Sequence, residues 1–371
     1  MDVPTLATTR LDHIRANLAA VRAHVGNRKV LAAVKADAYG HGAVEVARSL
    51  QANQSVDQFG VATVGEGIEL RRAGITLPIL KLSVARGPEA ADAVAHDLEL
   101  VVVDEPSLQE ASAAGLAAGR RAGLHLKVDT GMRRIGCEPA DAVRLALLAD
   151  ELPGVRLVGV MSHLPISDNP AGEEFTRGQI ARFAAVAADV EAARGPVLKH
   201  LANSGGVLAH PDSWFDLVRP GIMIYGSYPD PECPRTVPLL PGLEWVSRVT
   251  FTKPVSAGET VGYGRTWTAS RDTWIGTVSV GYGDGYSRAL SNRGRMLAGG
   301  RSYPIAGRVS MDQTMIDLGP EPLVSVGDEV VLIGSSGEEQ ITPSELAGLT
   351  GTIPYEITCA VGRRVARAYA R

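Results

Sequence analysis

Lys35 stands where an apolar run, residues 30–34, gives way to a glycine-punctuated loop in Ala-Val-Lys-Ala-Asp-Ala-Tyr-Gly-His-Gly, residues 33–42. A lysine at the point where a buried strand runs out is costly unless it is paired or chemically used. One use is nucleophilic. Desolvation lowers an amine's pKa, frees its lone pair, and lets it form an imine with an aldehyde such as that of pyridoxal phosphate. Pairing with Asp37, or an amine that snorkels to solvent, satisfies the same local sequence.

Other polar residues fall at comparable positions. Lys127 and Asp129 follow an apolar run and lead into Thr130-Gly131-Met132-Arg133-Arg134; Ser162-His163, Asn203-Ser204-Gly205-Gly206 and Arg219-Pro220-Gly221-Ile222 each follow another. Small residues with free backbone N–H groups after late strands of a barrel suit a phosphate. Taken singly, Gly205-Gly206 reads as an ordinary turn, His163 as a structural histidine and Arg219 as a surface cation.

The elements that must hold these residues follow from the hydrophobic pattern. Apolar β-rich runs at 30–34, 59–63, 78–82, 98–103, 123–128, 157–162, 197–201 and 215–218 alternate with alanine-rich amphipathic segments such as 66–73, 105–118, 139–149 and 173–193. A helix over 11–25, capped by Thr9 or Asp12, precedes them. Eight βα alternations predict a (β/α)8 barrel, which places the polar set on one rim, where barrel enzymes build their sites. A doubly wound sheet would usually carry a Gly-x-Gly-x-x-Gly turn after its first strand, and none is present.

The 371 residues exceed a barrel of roughly 250, so a second domain is expected. Pro229, Pro231, Pro234, Pro238 and Pro241 mark a connector. Short alternating runs then predict a β-rich domain with one short helix over 343–349 and a last strand near the C-terminus. The expected division is residues 1–230 for the barrel and 231–371 for the β domain.

A net charge of −4 argues against nucleic acid as the main partner. No apolar run approaches a membrane span, and the N-terminus lacks a basic segment followed by an apolar one, so no export signal is expected. Three cysteines without a CxxC pair fit a reducing cytoplasm and no structural zinc. The eight histidines lack ligand spacing, so no metal is expected.

From about residue 10 to residue 370 the chain resembles alanine racemase. The motifs that carry the resemblance are AVKADAYGHG at 33–42, KVDTGMRRIG at 127–136, ANSGG at 202–206, RPGIMIYG at 219–226, VGYGRTW at 261–267, GYGDGY at 281–286, GRVSMDQ at 307–313 and TIPYEITC at 352–359. The resemblance implies a cytoplasmic, homodimeric, pyridoxal-phosphate-dependent enzyme that supplies D-alanine for peptidoglycan. It implies that Lys35 forms the imine and serves as the base on one face of the substrate. Tyr263, from the partner subunit, serves the other face. It implies that Arg219 faces the pyridine nitrogen and that His163 links Tyr263 to Arg219. Tyr39, Asn203, Ser204, Gly221, Ile222 and Tyr355 bind the cofactor; Arg134, Tyr282 and Met311 bind substrate, with Met311 also reaching the partner's site. In some members the residue corresponding to Lys127 is carbamylated and orients the arginine, here Arg134.

The chemistry suits these residue types. Racemisation takes a proton from one face of Cα and returns it on the other, so two acid/base groups are natural. A tyrosine of pKa roughly 10 needs a nearby positive charge to act as a base near neutrality. An arginine cannot accept a proton from a pyridine nitrogen, which weakens the ring as an electron sink and disfavours transamination. Without its motif Tyr263 reads as a packed aromatic, and Arg134 as a loop cation paired with Asp129 or Glu138. The competing functions are a decarboxylase on the same architecture, a non-catalytic pyridoxal-phosphate carrier, and a racemase for another small amino acid such as serine. The run Leu164-Pro165-Ile166-Ser167, which departs from the usual His-Phe-Ala type of segment, bears on the last.

Overall fold

The computed structural model describes residues 5–371. A first strand, β1 (Leu6–Arg10), leads into the helix Leu11–Val25. The eight strands read from the sequence follow as β2 (Lys29–Ala33), β3 (Gln58–Val61), β4 (Ile79–Val84), β5 (Glu99–Val102), β6 (Ala122–Lys127), β7 (Val155–Met161), β8 (Leu198–His200) and β9 (Leu217–Val218). All neighbouring pairs are parallel, in the order β8-β7-β6-β5-β4-β3-β2-β9. Single hydrogen bonds bring the two ends of this order together: Asp216 N donates to Lys199 O at 3.0 Å and Arg219 N to Ala202 O at 2.9 Å. The barrel is therefore nearly closed. Leu31, Leu80, Val101, Met161 and Leu217 fill part of its interior, each such side chain contributing about 1.5–3 kcal/mol by leaving water.

Local signals set the helices. Thr63 and Glu66 form a capping box at the start of Val64–Arg72, and Asp104 and Ser107 do so for Glu105–Ala117. The helix Leu11–Val25 starts directly after β1. Thr9, one of the two expected caps, is in β1 two residues before the helix, and Asp12, the other, pairs with Arg10 at 2.9 Å.

The second unit is mostly strand. Its central strand, β10 (Leu243–Val255), pairs antiparallel with β1, with Thr273–Val278 and with Glu329–Ser336. β1 also pairs in parallel with Ala366–Ala370. Ala7, Trp245, Tyr286, Met296, Leu332 and their neighbours form its core. The expected helix spans Pro343–Thr350, and a second short one, Pro354–Cys359, follows.

The chain divides into Ile14–Leu240 and a unit combining the described residues up to His13 with Pro241–Arg371. The expected division, 1–230 and 231–371, differs from these bounds at both ends. β1 is hydrogen-bonded on both edges inside the C-terminal sheet, and a five-residue strand does not announce which sheet receives it. The proline connector as far as Leu240 belongs to the barrel unit: Asn17 Nδ2 donates to Leu240 O at 2.8 Å, and Asn17 Oδ1 accepts from Leu240 N at 2.7 Å.

Candidate active site

The segment after β2 is the least ordinary backbone in the barrel unit. Ala36, Asp37, Ala38 and Tyr39 all take left-handed conformations, with φ between 51 and 54°. Left-handed L-residues cost roughly 1–2 kcal/mol each, so the surroundings must hold the turn. Glu66 does much of this. One carboxylate oxygen accepts from Ala36 N at 2.7 Å, and the other from Ala62 N and Thr63 N at 2.7 and 3.1 Å. Asp37 Oδ1 accepts from Ala43 N at 2.7 Å. The turn places Tyr39 in the protein interior, its ring 5.1 Å from that of Tyr225, whose hydroxyl donates to Ala33 O.

Glu66 was not among the expected site residues, although the Thr-x-x-Glu spacing marks it as a capping residue. Its second duty, holding Ala36, depends on the fold. Glu66→Ala is expected to lower stability by about 2 kcal/mol, because the Ala36, Ala62 and Thr63 N–H groups lose their acceptor. Denaturant unfolding at fixed pH measures this.

The strand ends bring four cations together. Arg219, buried at 6% exposure, donates from Nη2 to Ser162 O at 2.7 Å and to Leu201 O at 3.0 Å. It also approaches His163 Nδ1 at 3.3 Å, and its Nη1 lies 3.1 Å from His200 Nδ1. An arginine only donates, so both imidazole nitrogens accept. Burial, then Arg219, Lys127, Arg134 and Lys35, hold His163 well below its ordinary pKa, so it is neutral. Burial together with Arg219, Arg134 and Lys35 draws Lys127 down to about 8, against the opposing influence of Asp129.

Both partners proposed for an ordinary loop Arg134 are engaged elsewhere. Glu138 pairs with Arg133 at 2.7 Å, while Asp129 Oδ1 accepts from Gly131 N and Arg133 N. Arg134 is exposed and has no ion pair among the described residues.

The neighbouring loops form a cradle. Asn203 caps the short helix Ser204–Ala209, so Gly205 and Gly206 are helical and not an isolated turn. Ser204 Oγ accepts from Gly221 N at 2.9 Å, which leaves its own proton to donate. A Cβ on Gly221 would lie 2.5 Å from the Tyr39 hydroxyl, so only glycine permits this approach. Ile222 is fully buried beside it. The excess of positive charge at the mouth and the hydroxyls of Ser204 and Tyr39 fit an anionic group such as a phosphate ester.

In the other unit Tyr263, Tyr282 and Met311 are 73%, 44% and 54% exposed. Tyr263 is therefore not a packed aromatic. It sits on a turn, Tyr263–Arg265, between Gly262 and Gly264, both with positive φ. Gly307 passes so close to Val261 O that a Cβ there would lie 2.7 Å away, which brings the two motif segments together. Tyr282 N donates to Ser310 O at 3.0 Å and Gly283 N to Met311 O at 2.8 Å. Arg364 braces this junction through Asp284 and Asp312. Tyr355 lies on Pro354–Cys359 in the same unit.

The family model of the alanine racemase N-terminal domain matches residues 9–229, and that of the C-terminal domain matches residues 242–369. The chain belongs to the alanine racemase family. Relatives named alanine racemase from Cutibacterium acnes and Symbiobacterium thermophilum are 52% and 44% identical, covering 98% and 99% of this chain and 97% of each relative. A solved alanine racemase from a D-cycloserine-producing Streptomyces lavendulae aligns with a TM-score of 0.94 at 37% identity, covering 100% of this chain and 98% of that one. The alanine racemase from Bacillus anthracis with bound L-Ala-P aligns at 0.90 and 33% identity, covering 100% and 96%. The barrel followed by a mostly-strand domain is thus the alanine racemase fold, and the protein is an enzyme of the isomerase class. No helix among the described residues is long and apolar enough to cross a membrane.

Proposed function

We propose that the protein interconverts L-alanine and D-alanine with pyridoxal phosphate held at the barrel mouth. The observation that supports this most directly is the convergence of Lys35, Lys127, Arg134 and Arg219 around neutral His163, next to the Tyr39–Ser204–Gly221 cradle. When bound there, pyridoxal phosphate would withdraw electrons from the substrate and acidify its α-proton.

This chain's residues do the rest. Lys35 holds the aldehyde end and moves the proton at one face of Cα. Tyr263 of a partner subunit moves the proton at the other face. Arg219, fixed by four contacts, would face the ring nitrogen of the bound cofactor as a donor, and His163 would link it toward Tyr263. Tyr39, Asn203, Ser204, Gly221, Ile222 and Tyr355 secure the phosphate end. Arg134 and the backbone of Met311 receive the substrate carboxylate, with Met311 acting across a homodimer, and Tyr282 also binds substrate. The exposure of Tyr263, Tyr282 and Met311 supports that assembly. A cytoplasmic role in supplying D-alanine for peptidoglycan completes the reading.

Lys127 is proposed to carry a carbamate. Its free amine would attack the carbon of carbon dioxide and release one proton, leaving an anion beside Arg134. Because only the free amine reacts, modification rises as pH increases through about 8. Native intact-mass measurement in bicarbonate is expected to show the mass of one added carbon dioxide, absent from Lys127→Ala; an unmodified amine at high pH overturns the assignment.

Chiral analysis of L-alanine and L-serine, each incubated with the pyridoxal-phosphate-loaded protein, tests the function. Fast D-alanine and slow D-serine are expected. Predominant D-serine changes the substrate, and formation of neither overturns the reading.

A further inference from the structure

The contacts of Arg219 do not end at His200. His200 Nε2 lies 2.9 Å from His125 Nδ1, and His125 Nε2 lies 3.0 Å from Glu99 Oε2. Glu99 is the first residue of β5, at the end of the barrel opposite the mouth, whereas Arg219 follows β9 at the mouth. The series therefore runs through the barrel interior. Both histidines have zero exposure.

The two ends dictate its polarity. Glu99 can only accept, so His125 carries its proton on Nε2. Arg219 can only donate, so His200 accepts at Nδ1 and carries its proton on Nε2. The remaining link then has one donor, His200 Nε2–H, and one acceptor, His125 Nδ1. Every nitrogen is used with two neutral rings and no proton left over.

The barrel is shaped around this series. A Cβ on Gly159 of β7 would lie 2.7 Å from His125 Nδ1, and one on Gly123 of β6 would lie 3.0 Å from Glu99 Cγ. Gln58 Nε2 donates to Glu99 Oε2 at 2.6 Å, and Arg156 lies 3.5 Å from Glu99 Oε1. Two polar rings inside a hydrophobic barrel are expensive unless fully satisfied, and a satisfied network rigidifies what it touches.

We propose that Glu99 and His125 are positioning residues, which act through His200 to hold the Arg219 guanidinium as a fixed donor at the mouth. The carboxylate at the far end selects the tautomer of His125, which leaves its Nδ1 as the acceptor for His200 Nε2–H and so supports the tautomer in which His200 Nδ1 accepts from Arg219. The role assigned to Arg219 rests on the proposed function; the polarity of the series does not.

Nitrogen-15 NMR of histidine-labelled protein tests the polarity directly, before any activity is measured. Both His125 and His200 are expected as neutral Nε2–H tautomers. A doubly protonated ring or an Nδ1–H tautomer at either residue overturns the proposal. In Glu99→Gln the amide can offer His125 a donor as well as an acceptor, so an Nδ1–H tautomer is expected to appear. In the cofactor-loaded variant kcat should fall about tenfold, as for other residues that orient a functional group from behind it, with KM for alanine within about twofold. Unchanged tautomers with only a lower melting temperature, or an unchanged kcat, overturn it. If Glu99→Gln does not fold, the wild-type tautomers still decide. If the wild-type protein racemises no amino acid, the functional reading fails while the tautomer measurement stands.

Discussion

Replacing Lys35 by alanine is expected to abolish racemisation, with a loss of about 10⁴-fold or more, because in the proposed mechanism one side chain supplies both the covalent anchor and a proton-transfer group. The position has no substitute nearby. Lys127 and Arg219 are held deep in the wall, and four hydrogen-bond contacts fix the Arg219 guanidinium. The left-handed turn that starts at Ala36 is set by backbone bonds to Glu66 and Asp37, so the fold survives the substitution. Chiral analysis of alanine turnover, with far-ultraviolet circular dichroism as a control, checks both statements. Substantial residual turnover in a folded Lys35→Ala protein removes Lys35 from the mechanism.

Tyr263→Phe is the second large effect. It deletes one oxygen from a side chain that is 73% exposed, so stability should hardly move while turnover falls by about 10²–10⁴-fold. The loss has a signature. Under the proposed assignment of one face to Lys35 and the other to Tyr263, solvent deuterium should still enter the α position from one enantiomer and nearly stop entering from its mirror image. Each enantiomer incubated separately in deuterium oxide, with exchange read by mass spectrometry, distinguishes this from a general decline. Equal loss from both enantiomers means that a single group serves both faces.

The glycine-rich and charged motifs were legible because they combine residue types that rarely occur together for structural reasons alone. Periodicity located all eight barrel strands to within a few residues, since a strand buried on both faces has to be apolar. The same rule hid Glu99 and His125: within short apolar runs they look like exceptions, and only the closed barrel shows that they face each other. Glu66 was visible as a cap but not as the clamp of a left-handed turn. Four consecutive non-glycine residues with positive φ contradict local preference, and only long-range hydrogen bonds can enforce them.

The sequence by itself determined the two-part architecture, the rim that carries the chemistry and the family, because motif order and hydrophobic period are properties of the chain. The tertiary structure decided where β1 belongs, which charges face one another and which protons are fixed. Strand pairing joins residues more than two hundred positions apart, as Leu6 with Val246. Burial turns a lysine near pH 10 into an amine near pH 8, and neutralises a histidine that the sequence shows only as one of eight. Such effects depend on distance and desolvation in the folded chain, which residue order alone does not specify.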